Sequence, residues 1–185
     1  GDTGGLNIND TTPDIGLTNN VAGTGRRNNN VSSLKRGIDI ISNPVSSRIN
    51  LLAVPGIRDA YVTDYASDAA RNYSLAMYVM DIPGYDKDGT RLYKDSSNRT
   101  DVTETIDAFE GRGLGNNYVA TYFPDVSMND NINNRVVEVP SSVAAMGALG
   151  FNDSTNNVWF APAGFSRGAL DFVTNVENRL SSNDR

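Results

Sequence analysis

The chain of 185 residues has no cysteine and no histidine. Without cysteine there is no disulfide, no zinc–thiolate centre and no thiol nucleophile. Without histidine there is no imidazole to accept a serine proton, so a Ser-His-Asp triad cannot be assembled. Basic residues are also in the minority: 16 lysines and arginines stand against 22 acids, a net charge of −6. Neutralising phosphates requires a basic face, so no nucleic-acid partner is expected. No apolar run approaches the roughly 18 residues of a membrane span, and no charged-then-apolar leader opens the chain. Membrane insertion is therefore not expected, and nothing in the sequence calls for a cofactor.

What remains is ordinary globular material. The hydrophobic share is 38%, and the length fits one domain with at most a small appendage. Residues 1–31 are rich in Gly, Asn, Asp and Thr and hold few apolar anchors. They read as a loop or poorly ordered arm. Residues 32–185 read as the α/β core. The chain begins with Gly1 rather than Met, as a core cut from a longer protein would.

Within that core, SSLKRGIDII places Leu34, Ile38 and Ile41 at helical spacing. INLLAV (49–54) is a short apolar run closed by Pro55-Gly56. IRDAYVTDYASDAARN carries Ile57, Ala60, Tyr61, Tyr65 and Ala69 on one helical face. LAMYVMD (75–81) is a second apolar run closed by Pro83-Gly84. Strand, helix and strand over about 49–81 predict a βαβ unit with parallel strands. Thr100 or Asp101 caps a further helix, in which Val102, Ile106 and Phe109 should face inward and which Gly111 ends. NYVATYF (117–123) reads as a third strand ending at Pro124, DVSMNDNINN as a loop and RVVEVP as an extended piece. SSVAAMGALGF reads as a small-residue helix after Pro140, and GALDFVTNVENRL as an amphipathic helix bearing Leu170, Val173, Val176 and Leu180. The predicted class is α/β: a largely parallel or mixed sheet with flanking helices.

Several patterns invite chemistry. GFSRG (164–168) fits the G-x-S-x-G nucleophile elbow, but Ser166 has no histidine to activate it. Lys35, Lys87 and Lys94, the only lysines, lie in polar stretches where they keep their charge and are poor bases. Asp86, Asp88, Gly89 and Asp95 resemble part of a calcium loop, with Gly84 in place of its first ligand. A tight turn explains them better. Asp125, Asp130 and their asparagines could make an oxygen-rich cation site, or simply a solvated loop, which is the preferred reading. Asp101, Glu104, Asp107 and Glu110 are spaced as an ordinary solvated helix face. Tyr61, Tyr65, Tyr73 and Tyr78 fit core and rim packing better than base stacking in such an acidic chain. Trp159, the only tryptophan, is equally consistent with a core aromatic or an interface anchor.

Three C-terminal segments, NYVATYFPDVSM, VEVPSSVAAMGALGFND and VWFAPAGFSRGAL, are similar to motifs of the contractile tail sheath proteins of bacteriophages and related injection machines. The residues that carry the likeness are Pro124, Pro140, Trp159, Pro162, Ala163 and Gly164. INLLAVPG and LAMYVMDIPG resemble the same family's core, so the likeness spans about 34–180. It departs at Ala145-Met146, where an Ala-Gly pair is commoner. The resemblance implies a non-enzymatic structural subunit located in the virion and assembled in the host bacterial cytoplasm. Its partners would be copies of itself, the tail tube protein, the baseplate and the tail terminator. Subunits would join by exchanging terminal arms, and contraction would be a rigid-body rearrangement. Arg58, Arg71, Arg112 and Arg167 are candidate interface charges. Ser166 then caps the final helix. The competing readings are a ligand-binding α/β module, with its site at the strand ends near Pro55-Gly56, Pro83-Gly84 and Pro124, and a Ser166 hydrolase.

Overall fold

The computed structural model describes residues 29–92, 97–157 and 159–178. The predicted arm lies outside them except for its last three residues. Those three begin the first helix, α1 (Asn29–Ile41), and Val31 is fully buried. The βαβ unit follows. β1 (Leu51–Ala53) leads through α2 (Ala60–Tyr73) to β2 (Met77–Met80), and the two strands pair in parallel with Leu51 opposite Met77. α2 starts later than Ile57 because Asp59 caps it, its carboxylate accepting the Tyr61 N–H. α3 (Val102–Glu110) comes next, with Asp101 accepting the Glu104 N–H at its start and Gly111 at its end. Ile106, expected inside, is exposed; the buried residue of this helix is Thr105. Its hydroxyl donates to the Asp101 carbonyl. β3 (Val119–Thr121) completes a parallel sheet of order β1-β2-β3.

The last third differs from expectation. DVSMNDNINN is not a loop: Val126–Asp130 forms β4. It turns into β5 (Arg135–Val139) as an antiparallel pair. Pro140 occupies the cap position of α4 (Ser141–Thr155). GFSR forms a single turn, α5 (Gly164–Arg167), and the predicted C-terminal helix is replaced by a strand, β6 (Val173–Val176). β6 pairs with β4, giving a second, antiparallel sheet of order β5-β4-β6. Leu180 lies outside the described residues. Val173 and Val176 are three apart, the spacing that imitates a helix, yet they stand opposite Met128 and Val126, which are two apart. The register shift between Ser127 and Met128 absorbs the extra residue, as a β-bulge does. The fold is therefore mixed α/β, with one parallel and one antiparallel three-stranded sheet.

The core sits where α1 packs on α2 and α2 on β2. Val31, Ile38, Leu52, Val62, Ala66, Ala70, Tyr78 and Met80 form one buried cluster. Alanines on α2 let the helix approach the sheet closely. Each large apolar side chain buried here contributes about 1.5–3 kcal/mol.

Candidate interaction surface

Parallel sheets present ligand crevices beyond the carboxyl ends of their strands. Here that end is filled by the protein itself. Asp81, just past β2, is 1% exposed. Its carboxylate accepts the Gly56 N–H at 2.9 Å, the Ser142 N–H at 3.0 Å and the Ser142 hydroxyl at 2.7 Å. The N-terminus of α4 thus receives an internal carboxylate, where its unpaired N–H groups and dipole favour negative charge. Ser141 donates its hydroxyl to the Tyr122 carbonyl, fastening the same helix to the end of β3. Gly56 has φ +77°, a conformation that brings its N–H to Asp81 and that side chains rarely adopt. Pro55-Gly56 is thus turn chemistry serving this junction.

A second polar centre lies alongside. Asp125 pairs with Arg58 and accepts the Ser141 N–H at 3.3 Å. The carboxylates of Asp125, Glu138 and Glu177 come within 4.8 Å of one another. Partial burial raises the Glu177 carboxyl above its ordinary range; the charges of Asp125 and Glu138 raise it further, and Arg58 offsets part of this. Asp130, which the sequence grouped with Asp125, serves its own turn instead. It accepts the Ile132 and Asn133 N–H groups and the Asn133 side chain, which together hold its carboxyl below the usual range.

The WFAPAGFSRG segment exposes several large aromatic side chains. Trp159 is 74% exposed and Phe165 completely so; Phe160 and, from α4, Phe151 are exposed as well. The even choice left open for Trp159 resolves to the surface. Trp159 and Phe160 rings lie 6.3 Å apart, and the Arg167 guanidinium sits 4.6 Å from the Phe160 ring centre. The segment is nonetheless anchored. Asn152 donates to the Phe160 carbonyl at 2.8 Å. Gly164 has φ +78°, and a Cβ on Gly168 would fall 2.8 Å from the Pro162 carbonyl oxygen. Contrary to the expectation above, Ser166 caps no helix. It lies inside the α5 turn, exposed, with Ala163 in the cap position. Pro162 and Ala163 are exposed too, whereas Pro124 is buried and follows a cis peptide bond.

The four candidate arginines divide. Arg58 is committed to Asp125, and Arg112 to Asp64 and Thr63, tying α3 to α2. Arg71 stays at the surface, 3.9 Å from Asp68, and Arg167 lies on the aromatic surface.

Other sequence candidates resolve into structure. Asp86 accepts the Asp88 and Thr90 N–H groups and the Asn98 amide, the turn preferred above; Asp95 and Lys94 lie outside the described residues. Tyr78 is fully buried, and Tyr73 bridges the Ser47 carbonyl and the Ile49 N–H. Among the described residues no helix is long and apolar enough to cross a membrane. Sequence reasoning missed the trio of Asp125, Glu138 and Glu177, which no spacing could have signalled. No protein-family model matches the chain, and no match is found among curated proteins.

Proposed function

We propose that this chain is a structural subunit that acts by being packed against other copies and against partner proteins, in the manner of a contractile tail sheath. The observation that carries the reading is the aromatic surface of Trp159, Phe160 and Phe165, held out on an anchored turn. Patches of this kind on soluble domains are characteristic of binding surfaces, and Trp with Arg is the composition of interface anchors. The surface coincides with the stretch that most resembles the sheath family. At the strand ends, where a ligand-binding module would act, Asp81 is engaged by Ser142 at the start of α4, which favours the structural reading over that rival. On this proposal the chain performs no catalysis, its home is a virion tail, and its partners are neighbouring sheath subunits, the tube, the baseplate and the terminator.

Negative-stain electron microscopy tests it, applied to the concentrated chain and to the longer parent that the resemblance implies. Hollow helical tubes are expected from the parent, and their loss on combining Trp159→Ser with Phe165→Ser. Uniform small particles from a well-folded parent under all conditions would overturn the sheath reading. Tubes unaffected by the double substitution would remove the aromatic surface from it.

A further inference from the structure

We propose that the open edge of β3, with the cavity beside it, is a docking site for an extended basic peptide segment of a partner protein, which adds a strand to the parallel sheet. The site uses none of the residues of the aromatic surface, so it stands or falls apart from the assembly reading.

The pairing of β3 fixes which way its backbone points. β3 lies at the edge of the sheet, beside β2. The Tyr78 N–H donates to the Tyr118 carbonyl, and Tyr78 stands opposite Val119 in the parallel register. Tyr118 and Ala120 therefore turn their backbone groups towards β2, because alternate residues of a parallel strand bond to the same side. Val119 and Thr121 turn theirs outward. Among the described residues nothing bonds to these outward N–H and C=O groups. An edge of this kind is a template for strand addition.

The same two residues line a cavity of about 330 Å³, together with Phe109 and Glu110 of α3 and Leu114 of the loop that follows. Phe109, Leu114 and Val119 make its wall apolar, and the volume admits one large apolar side chain. Gly113, in the same loop, keeps the space open: a Cβ there would meet nothing within 4 Å. Edge and cavity divide the work of strand addition, the edge holding the main chain of a docked segment and the cavity selecting one of its alternate side chains. Ile106 gains a reason for its exposure. It lies four residues before Glu110, on the helical face that carries Glu110 to the cavity, where a docked segment would cover it. Charge selects the segment further. Glu110 is the charged member of the lining, no basic side chain joins it, and exposed Asp107 lies one turn earlier on the same face. Arg112, close by in sequence, is committed to Asp64 and Thr63. A segment with basic residues flanking its apolar one is attracted here, and an acidic one is repelled.

A small library of extended heptapeptides tests the site. The peptides are built on Thr and Val, with the central residue varied among Leu, Ile, Met and Phe and with Lys or Glu at both ends. Binding to the intact chain is read by fluorescence anisotropy and by NMR. Lys-ended peptides are expected to bind more tightly than Glu-ended ones. Glu110→Lys, an exposed change, should reverse that order, shifting each affinity about threefold. Saturation with a Lys-ended peptide should slow amide exchange at Val119 and Thr121 at least about tenfold and leave Ala120, already turned to β2, unchanged. N-methylation of one alternate set of peptide amides should abolish binding, and of the other set spare it. Failure of every peptide to bind at millimolar concentration would overturn the site. Binding that neither methylation pattern weakens would overturn the added strand and leave an apolar ligand site. Protection of Val119 and Thr121 in concentrated protein without peptide would make a second copy of the chain the occupant, against the proposal.

Discussion

Tyr78 shows how much of this fold is decided one side chain at a time. Its ring lies in the centre of the core, fully buried, yet its hydroxyl has no hydrogen-bond partner among the described residues. Burial, and then the nearby charge of Asp81, push its proton affinity far above the usual range for tyrosine, so it is a neutral phenol at every working pH. An unpaired buried hydroxyl costs free energy that a hydrogen in its place would not. Tyr78→Phe is therefore expected to leave stability unchanged or raise it by up to about 1 kcal/mol. Urea unfolding measures this, and a loss of more than that amount would mean that the hydroxyl has a partner.

At the scale of elements, the decisive contact is between a helix end and a strand end. The small serines that open α4 let its N-terminus reach Asp81, and the carboxylate satisfies donors from both α4 and the Pro55-Gly56 turn. Removing it leaves those donors buried and unpaired, each at about 1–3 kcal/mol. Asp81→Ala is expected to lower the unfolding free energy by at least about 3 kcal/mol, again by urea unfolding. Ser142→Ala, which spares the backbone donors, should cost much less. Equal losses would place the Asp81 contribution in the serine hydroxyl alone.

Across the whole molecule, pH sets carboxylates against one another. Asp86 is held below the usual range, first by the Thr90 N–H and then by the Asn98 side chain and the Asp88 N–H. Asp130 is held low by Asn133 and Ile132. Their stabilisation is present above the ordinary aspartate range and is lost as pH falls through their lowered values. Asp59 acts the other way. Burial raises its carboxyl, so its ionised form opposes folding at neutral pH and the penalty fades on acidification. A melting temperature that rises from neutral towards mildly acidic pH and falls sharply in stronger acid is expected. Asp86→Asn should lower stability at neutral pH and flatten the acid limb, as scanning calorimetry across pH would reveal. An acid limb that Asp86→Asn leaves unchanged would show that other carboxylates drive it.

The sequence determined the parallel half of this protein. Two apolar runs ending in Pro-Gly, with an amphipathic stretch between them, can bury their surfaces in few other ways than as strand, helix and strand. Asp101 and Pro140 marked their helix starts because capping is a local property. The antiparallel half was decided by tertiary structure. β4 is largely polar and mostly only partly buried, so Ser127, Asn129 and Asp130 read as loop until β5 and β6 supply partners. In β6, two valines three residues apart imitate a helix, and the irregular pairing with β4 turns that spacing into a strand. The meeting of Asp125, Glu138 and Glu177 is likewise a product of strand order. Residues far apart in the chain acquire a common charge environment when pairing aligns their strands, and no local pattern records that alignment.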